Sequence, residues 1–254
     1  MHSAYQISEQ ILKLATCSSL VLSNCQLIPR LPGKGRVLLA LEERPEHKGC
    51  AMPSPSQIAK KLLPKQVKRF ILLNFLGVRR RYDHLRSHPS RRFLEHEILP
   101  WLARHQARVL FVGTGPYTWQ FERLFRRSRD QYTTIDPESA TAVWGARNHI
   151  VAPIQQIERF RPKGYFDCIV FNGVFGFGID DLDSQRETIK VLHEALAPGG
   201  LLLVGWNTNL LPDLEALGLF RPYFDDAEGL PWPHRTPFGL PETHVYDFYR
   251  KRPQ

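Results

Sequence analysis

The sequence predicts an α/β fold in which a doubly wound, mainly parallel sheet ends in an antiparallel hairpin and follows a basic helical region. From Ala107 onward, apolar strand-like runs alternate with helical ones, as in a parallel sheet covered on both faces. The strand-like runs are ARVLFV, QYTTI, HIVAPI, YFDCIVF and GLLLVGW, and the predicted helices between them are WQFERLFRR, PESATAVWGA and SQRETIKVLHEAL. A Pro-rich stretch then precedes HVYDFYRK, which indicates a last strand beside a long loop.

The chain divides into three parts by pattern. Residues 1–56 form a poorly patterned extension that ends in a linker rich in Pro and Ser. Residues 57–104 have helical periodicity and many basic side chains, and residues 105–254 carry the alternating strands and helices. The chemistry is therefore expected in 105–254.

The positive charge is confined to the N-terminal part. Residues 1–106 hold 18 lysines and arginines against 7 acids, whereas the remainder holds 16 against 18. The net charge of the C-terminal domain is close to zero and therefore does not indicate what kind of ligand it binds. The basic region predicts either helices with solvated arginines or a surface that docks on RNA or an anionic membrane. The arginines of that surface would be Arg79, Arg80, Arg81, Arg91 and Arg92.

The cysteines give no sign of a metal site or an oxidising compartment. No two of Cys17, Cys25, Cys50 and Cys168 form a CxxC pair, so no metal is expected, and Cys168 in its apolar run is predicted to be a buried thiol. The apolar run 67–78 is shorter than the roughly 20 residues that span a bilayer. The expectation is a cytoplasmic protein without a transmembrane segment.

A glycine loop and a later acid predict a nucleotide site. Gly113-Thr114-Gly115 follows the first strand of the sheet, where backbone N–H groups can approach a ligand closely. Asp136 ends the second strand, 21 residues after Gly115, the place from which a carboxylate reaches ribose hydroxyls. The alternative for Asp136 is an N-cap for a helix opening at Pro137.

Two further motifs give the chain a family resemblance. FDCIVFNGV lies at the predicted fourth strand, and LAPGG precedes the fifth. In this order, with the glycine loop, the acid and the closing hairpin, residues 93–252 resemble the class I S-adenosylmethionine (SAM)-dependent methyltransferases. The resemblance implies a Rossmann-like fold, SAM as the cofactor and methyl transfer as the activity.

The resemblance also implies roles for individual residues. The loop would pass under the methionine part of SAM, the acid would bind the ribose, and the turn after the fourth strand would face the sulfonium and the substrate. The residues carried over are Gly113, Thr114, Gly115 and Tyr117 for the loop, Asp136 and Pro137 for the ribose and adenine, Ile150 and Val151 for the adenine, and Asn172, Gly173 and Val174 for the turn. Two positions depart from the family: Phe111 replaces an acid of the first strand, and Tyr117 replaces a third glycine.

Methyl transfer by in-line displacement needs alignment more than a dedicated catalytic motif, and no such motif is present. The acceptor side is predicted to be lined by Phe175, Phe177, Trp206 and Asn207. If a base assists, His244 or His234 fits best by intrinsic pKa, and Asn207 is a further candidate for a catalytic role. The aromatic rim and near-neutral charge favour a small-molecule acceptor.

Two other functions compete with this interpretation. A non-catalytic nucleotide-fold module would dock on RNA or a membrane through its basic arm, and Phe111 and Tyr117 are its best support. An NAD-dependent oxidoreductase would share the two glycines and the later acid. The third glycine of its motif is Thr118 here, and no Tyr-x-x-x-Lys dyad follows Asp136.

Overall fold

A computed structural model describes residues 63–74, 78 and 82–252 of the 254-residue chain. The predictions for the extension 1–56, for three of the cysteines and for Arg79, Arg80 and Arg81 lie outside these residues. Within the described part, no helix is both long and apolar enough to cross a membrane.

One mixed sheet organises the fold. Its strands are β1 (Val109–Val112), β2 (Tyr132–Asp136), β3 (Asn148–Val151), β4 (Phe166–Asn172), β5 (Leu196–Asn207), β6 (Phe224–Asp226), β7 (Arg235–Pro237) and β8 (His244–Lys251). The order is β3-β2-β1-β4-β5-β8-β6, and β7 also pairs with β8. Strands β1 to β5 are parallel, and β8 is antiparallel to β5, β6 and β7. The predicted fold class is confirmed.

Helices cover the two faces of the sheet unequally. The helices are α1 (Lys65–Asn74), α2 (Pro89–Phe93), a π-helical turn (Leu94–Ile98), α3 (Leu99–His105) and α4 (Leu182–Ala195). On one face, Ile189 and Leu192 of α4 pack over the sheet. On the other, the apolar side of 89–105 packs on β1 and β2. Strand β1 is therefore buried on both faces, as its apolar run predicts.

The predicted crossover helices WQFERLFRR and PESATAVWGA are not formed. The crossovers contain only the short 3₁₀ turns Phe121–Leu124, Ser139–Val143 and Ile154–Arg159. Leu94, Ile98, Leu99 and Leu102 from the preceding region are fully buried against the sheet, in one cluster with Phe121 and Phe125. Because this face is already covered, a long crossover helix has little apolar surface left to bury.

A buried ion pair fastens the C-terminal strands. Asp247 of β8 is 1% exposed and accepts hydrogen bonds from Arg235 Nε at 2.6 Å and Nη2 at 3.0 Å, and from Trp206 Nε1 at 2.7 Å. The same guanidinium binds Asp213 at 2.8 and 3.0 Å. These hydrogen bonds raise the pKa of Arg235, so the guanidinium stays charged. One arginine thus joins β7, β8 and the loop after β5.

A carboxylate from the β7–β8 loop holds the start of α2. Both oxygens of Glu242 accept hydrogen bonds from the Ser90 N–H, and the Ser90 hydroxyl also donates to Glu242. The Tyr246 hydroxyl donates to the Ser90 carbonyl at 3.3 Å. An acid at a helix N-terminus satisfies free N–H groups and the helix dipole. The helix is thereby tied to the strand that carries His244.

Candidate functional site

The candidate site lies at the edge where the parallel strands end. Strand β1 lies between β2 and β4, so the strand order reverses there, and open α/β sheets bind ligands at this point. Asp136, Asn172 and Asn207 end β2, β4 and β5, respectively. His244 opens the antiparallel β8 directly opposite Asn207. The fold therefore brings four of the predicted site residues to one edge.

The glycine loop is pinned to β2 by its backbone. Gly113 has a φ of +84°, a conformation that favours glycine, and its N–H donates to the Ile135 carbonyl at 2.9 Å. The Thr114 N–H donates to Asp136 Oδ2 at 2.7 Å. The buried Thr118 hydroxyl then closes the turn with Gly115 at 3.0 Å.

Asp136 is buried and already bonded on both oxygens. Besides the Thr114 N–H, its Oδ2 faces the Thr114 hydroxyl at 3.3 Å, and its Oδ1 accepts from the Glu138 N–H at 2.9 Å. A carboxylate offers about four acceptor positions, so about one is left. Asp136 therefore organises the loop and the turn after β2, and it keeps capacity for a ligand hydroxyl.

The two departures from the family pattern lie in aromatic contacts. Phe111 is buried and packs on Phe121 and Tyr132, with centroids at 5.5 and 6.3 Å. Tyr117 lies against Gly115, since a Cβ added there would approach its ring to 3.0 Å. The Arg91 guanidinium lies 4.7 Å from the Tyr117 ring. Phe111 thus belongs to the core, and only Tyr117 borders the loop.

Arg91 is held by its neighbours. It donates to Glu95 Oε1 at 2.6 Å and to the Tyr117 carbonyl at 2.5 Å, and its side chain is 11% exposed. These partners occupy the guanidinium, so the structure does not offer Arg91 as a phosphate contact. Arg92 is exposed.

His244 lies between two amides. Its Nδ1 lies 2.9 Å from Asn207 Oδ1, and its Nε2 lies 3.0 Å from Asn172 Oδ1. Burial lowers the pKa of His244 to about 4, against a smaller opposing effect of Glu242, so the ring is neutral at pH 7. A neutral ring has one N–H, so one of the amides turns its NH₂ toward the ring. The cluster joins β4, β5 and β8.

Gly205 makes room for this cluster. A Cβ added to Gly205 would overlap the side-chain oxygen Oδ1 of Asn172 and lie 2.9 Å from His244 Nε2. We expect Gly205→Ala to displace Asn172 and His244 and to lower at least tenfold the rate of the methyl transfer that the resemblance implies, because a small misplacement of aligned groups costs that much.

Steady-state kinetics of Gly205→Ala, with Gly218→Ala as the control, measure this effect. Gly218 has open space around an added Cβ and a positive φ, so its variant carries backbone strain away from the site. Equal rates for the Gly205→Ala variant and the wild type would contradict the expected crowding.

Several predicted residues do not meet at the edge. Trp206 is buried with its N–H on Asp247, so it does not point over the crevice as expected. Phe175 is fully buried and packs on Phe171 at 4.6 Å. The backbone carbonyl of His234 accepts from the Phe248 N–H, which places it beside the far half of β8. His234 therefore lies away from His244.

The remaining predicted residues lie around the edge. Ile150 is buried in the core, whereas its neighbour Val151 is 46% exposed beside Asp136. Pro137 is exposed. Gly173, with a φ of +66°, has open space where a Cβ would be. Phe177 is 62% exposed at the rim.

Free space and donor chemistry at this edge suit the cofactor that the resemblance implies. The turn glycine Gly173 leaves open room, Val151 offers an apolar surface, and Asp136 keeps an acceptor position. An adenosine needs such an apolar contact for its base and an acceptor for its ribose. The residues present therefore fit SAM.

A cavity of about 630 Å³ borders the loop on the side of α1. Pro116 and Tyr117 line it together with Trp119, whose ring lies 4.9 Å from the Arg69 guanidinium and 4.7 Å from that of Arg123. Arg69 also donates to the Val143 carbonyl. This cavity does not include the His244 cluster, so it adjoins the candidate site without containing it.

Gly205 and Glu242 have no signal in the sequence, and Arg91 is predicted only as a docking arginine. All three act through contacts between segments far apart in the chain. Their residue types and local patterns are ordinary, so only the fold reveals them.

Two solved structures with the same fold are methyltransferases. The N-methyltransferase NodS from Bradyrhizobium japonicum WM9 superposes with a TM-score of 0.51 and 17% identity, over 66% of this chain and 99% of that one. NodS was also solved in complex with S-adenosyl-L-homocysteine (SAH). A TehB-like SAM-dependent methyltransferase from Corynebacterium glutamicum ATCC 13032 Kitasato has a TM-score of 0.51 and 15% identity, over 70% and 97%. The fold is thus the Rossmann-like fold of these enzymes.

The family model described as "Methyltransferase domain" matches residues 82–252. This chain belongs to that family, the class I SAM-dependent methyltransferases, and its cofactor is SAM. None of the curated proteins searched matches the sequence.

Proposed function

We propose that this protein transfers the methyl group of SAM to a small-molecule acceptor by direct in-line displacement, with His244 as the proton acceptor. The observation that carries the proposal is the neutral His244 ring, held between Asn172 and Asn207 at the edge where the strands end. A neutral imidazole held by a second group is the usual arrangement of a general base.

The two amides have different roles in this proposal. Asn207 holds Nδ1 and fixes the plane of the ring. Asn172 faces Nε2 and ends β4. The acceptor's hydroxyl or amine takes the place of the Asn172 amide on Nε2 and gives its proton to that nitrogen as its new bond to carbon forms. The ring then returns the proton to water.

The cofactor supplies an electrophilic methyl group on a sulfonium with a good leaving group. The glycine loop would hold its methionine part, Asp136 its ribose and Val151 its adenine. Asp136 does so while it keeps the Thr114 N–H in place, so loop geometry and ribose binding depend on one carboxylate.

The chemistry of the rim supports a small, uncharged acceptor. His244 is neutral at pH 7, its partners are amides, and Phe177 and Leu210 are exposed nearby on the turns after β4 and β5. Leu210 lies over Gly176, since a Cβ added there would approach it to 3.2 Å. An RNA acceptor would instead need free cations near the site, and Arg91 is committed to its neighbours.

The cofactor site is tested by calorimetric titration with SAM and with SAH. We expect micromolar binding by the wild type and a loss of about 10- to 100-fold in Asp136→Ala, the effect of removing a hydrogen bond to a charged group. Glu187→Ala, which removes an exposed acid of α4, serves as the matched control and keeps wild-type affinity.

Either of two results would count against the proposal. Equal affinity of Asp136→Ala and the wild type for SAM and SAH would show that Asp136 does not bind the ribose. Absence of binding by either ligand would favour the non-catalytic module, with Tyr117 closing the loop.

A further inference from the structure

Three metal-binding side chains meet far from the methyl-transfer site. Glu215 lies in the loop between β5 and β6, Asp226 ends β6, and His234 precedes β7. One carboxylate oxygen of each acid and one ring nitrogen of the histidine all lie within 4.8 Å of one another. Their positions in the sequence match no metal motif, because three separate segments supply them.

A buried hydroxyl without a partner belongs to a residue beside two of these side chains. Tyr249 of β8 is 3% exposed, and its hydroxyl has no hydrogen-bond partner among the described residues. Tyr249 lines a cavity of about 260 Å³ together with Glu215 and Asp226. A buried hydroxyl left unpaired is costly, so its place beside this acidic cavity indicates a missing ligand or ligand-bound water.

The charges around this cavity favour a divalent cation. Three acids and two arginines line it, which leaves one negative charge in excess. They are Glu215, Asp225 and Asp226 against Arg221 and Arg252. Arg252 pairs with Asp225 at 2.7 Å. Arg235 is shared among Asp213, Asp247 and Glu215, the last at 3.3 Å. Among the described residues, the ion-pair partner of the Asp226 carboxylate is His234, at 3.9 Å.

We propose that Glu215, Asp226 and His234 bind a divalent transition-metal ion of the Zn²⁺ class. An imidazole ligand selects such ions over Mg²⁺ and Ca²⁺, which prefer all-oxygen sites. Zinc bonds of about 2.0–2.2 Å place neighbouring ligand atoms about 3.3 Å apart. The three side chains, all partly or fully exposed, need to move closer by up to about 1.5 Å. The fourth position holds water, within reach of the Tyr249 hydroxyl.

This ion acts as a clamp and takes no part in methyl transfer. It joins the loop after β5, the end of β6 and the approach to β7, all of which pack around β8. His244 and Tyr249 are five residues apart on β8, which is about 17 Å along a strand. Binding is therefore expected to stabilise the fold without changing the site's chemistry.

Calorimetric titration with ZnCl₂ tests the site, using the full chain without an affinity tag after removal of metals with EDTA. We expect one Zn²⁺ per chain with micromolar affinity and a higher melting temperature in Zn²⁺ than in EDTA. His234→Ala and Asp226→Asn should each weaken binding at least tenfold and abolish the rise. Asp225→Asn, on the same strand but paired with Arg252, is the matched control and binds like the wild type.

The variant Tyr249→Phe tests whether the Tyr249 hydroxyl supports metal binding or the side chain serves packing alone. It should weaken Zn²⁺ binding about tenfold, the size of effects from groups that support metal ligands, while the metal-free protein melts no lower than the wild type. Absence of Zn²⁺ binding would overturn the proposal. Wild-type Zn²⁺ affinity in both His234→Ala and Asp226→Asn would overturn it too. That result is expected if Cys17, Cys25 or Cys50 held the metal.

Discussion

Replacement of His244 by alanine is expected to lower kcat by two to four orders of magnitude, the usual contribution of a positioned general base. The change removes the only ring between Asn172 and Asn207. It leaves the glycine loop and Asp136 in place, so SAM affinity measured by calorimetry should stay within about twofold. Single-turnover kinetics with an identified acceptor measure the loss.

His244→Gln distinguishes proton transfer from positioning. A glutamine can hydrogen-bond to both neighbouring amides but cannot take up a proton near neutral pH. If His244 is the base, His244→Gln is as slow as His244→Ala. A glutamine variant with near wild-type activity would assign His244 a positioning role instead. His105→Gln, at an exposed histidine of α3, is the control and should leave kcat unchanged.

The pH profile gives an independent test of the same residue. Because burial lowers the pKa of His244 to about 4, the ring remains a proton acceptor well below pH 6.5, where an ordinary histidine becomes protonated. We expect kcat/KM to be flat from pH 7 to about pH 5 and to fall only as the pH approaches 4. A fall centred near pH 6.5 would contradict the buried neutral ring.

Arg235→Ala should be the most destabilising single change at the C-terminal end of the sheet. It leaves Asp247, which is 1% exposed, as a buried carboxylate with Trp206 as its remaining side-chain partner. Breaking a buried pair in this way costs about 3–5 kcal/mol of unfolding free energy. Urea unfolding at pH 7 in EDTA measures the change without any contribution from metal binding.

Arg252→Ala is the matched control for this prediction. Arg252 also pairs with an aspartate at 2.7 Å, but both side chains of that pair are about half exposed. Exposed pairs contribute at most about 1 kcal/mol. Similar losses of unfolding free energy in Arg235→Ala and Arg252→Ala would show that the burial of Asp247 does not determine the size of the loss.

Short-range signals predicted where the strands end at the edge that carries the candidate site. The loop Gly113-Thr114-Gly115 and Asp136 are marked by a strand end followed by a turn, and parallel strands bring their carboxyl ends to one edge. The fold class was predictable for the same reason, since strands buried on both faces leave continuous apolar runs.

Side-chain direction and long-range partners were not predictable. Trp206 and Asn207 are neighbours on β5, and successive residues of a strand point to opposite faces. The sequence cannot say which of them faces the crevice, and Asp247 on β8 decides it by binding the indole N–H. The absent crossover helices have a similar cause, because their place on the sheet is taken by residues 89–105.

The hold of Glu242 on Ser90 has a consequence for how the protein can be shortened or recombined. Helix α2 lies before the predicted domain boundary at residue 105, yet its N-terminus is satisfied by the loop that leads into His244. The segment 89–105 is therefore an integral wall of the enzyme and not a detachable arm. A fragment that begins at residue 105 would lose its cover over β1 and β2 as well as the anchor of its last loop. The smallest transferable unit begins ahead of Pro89.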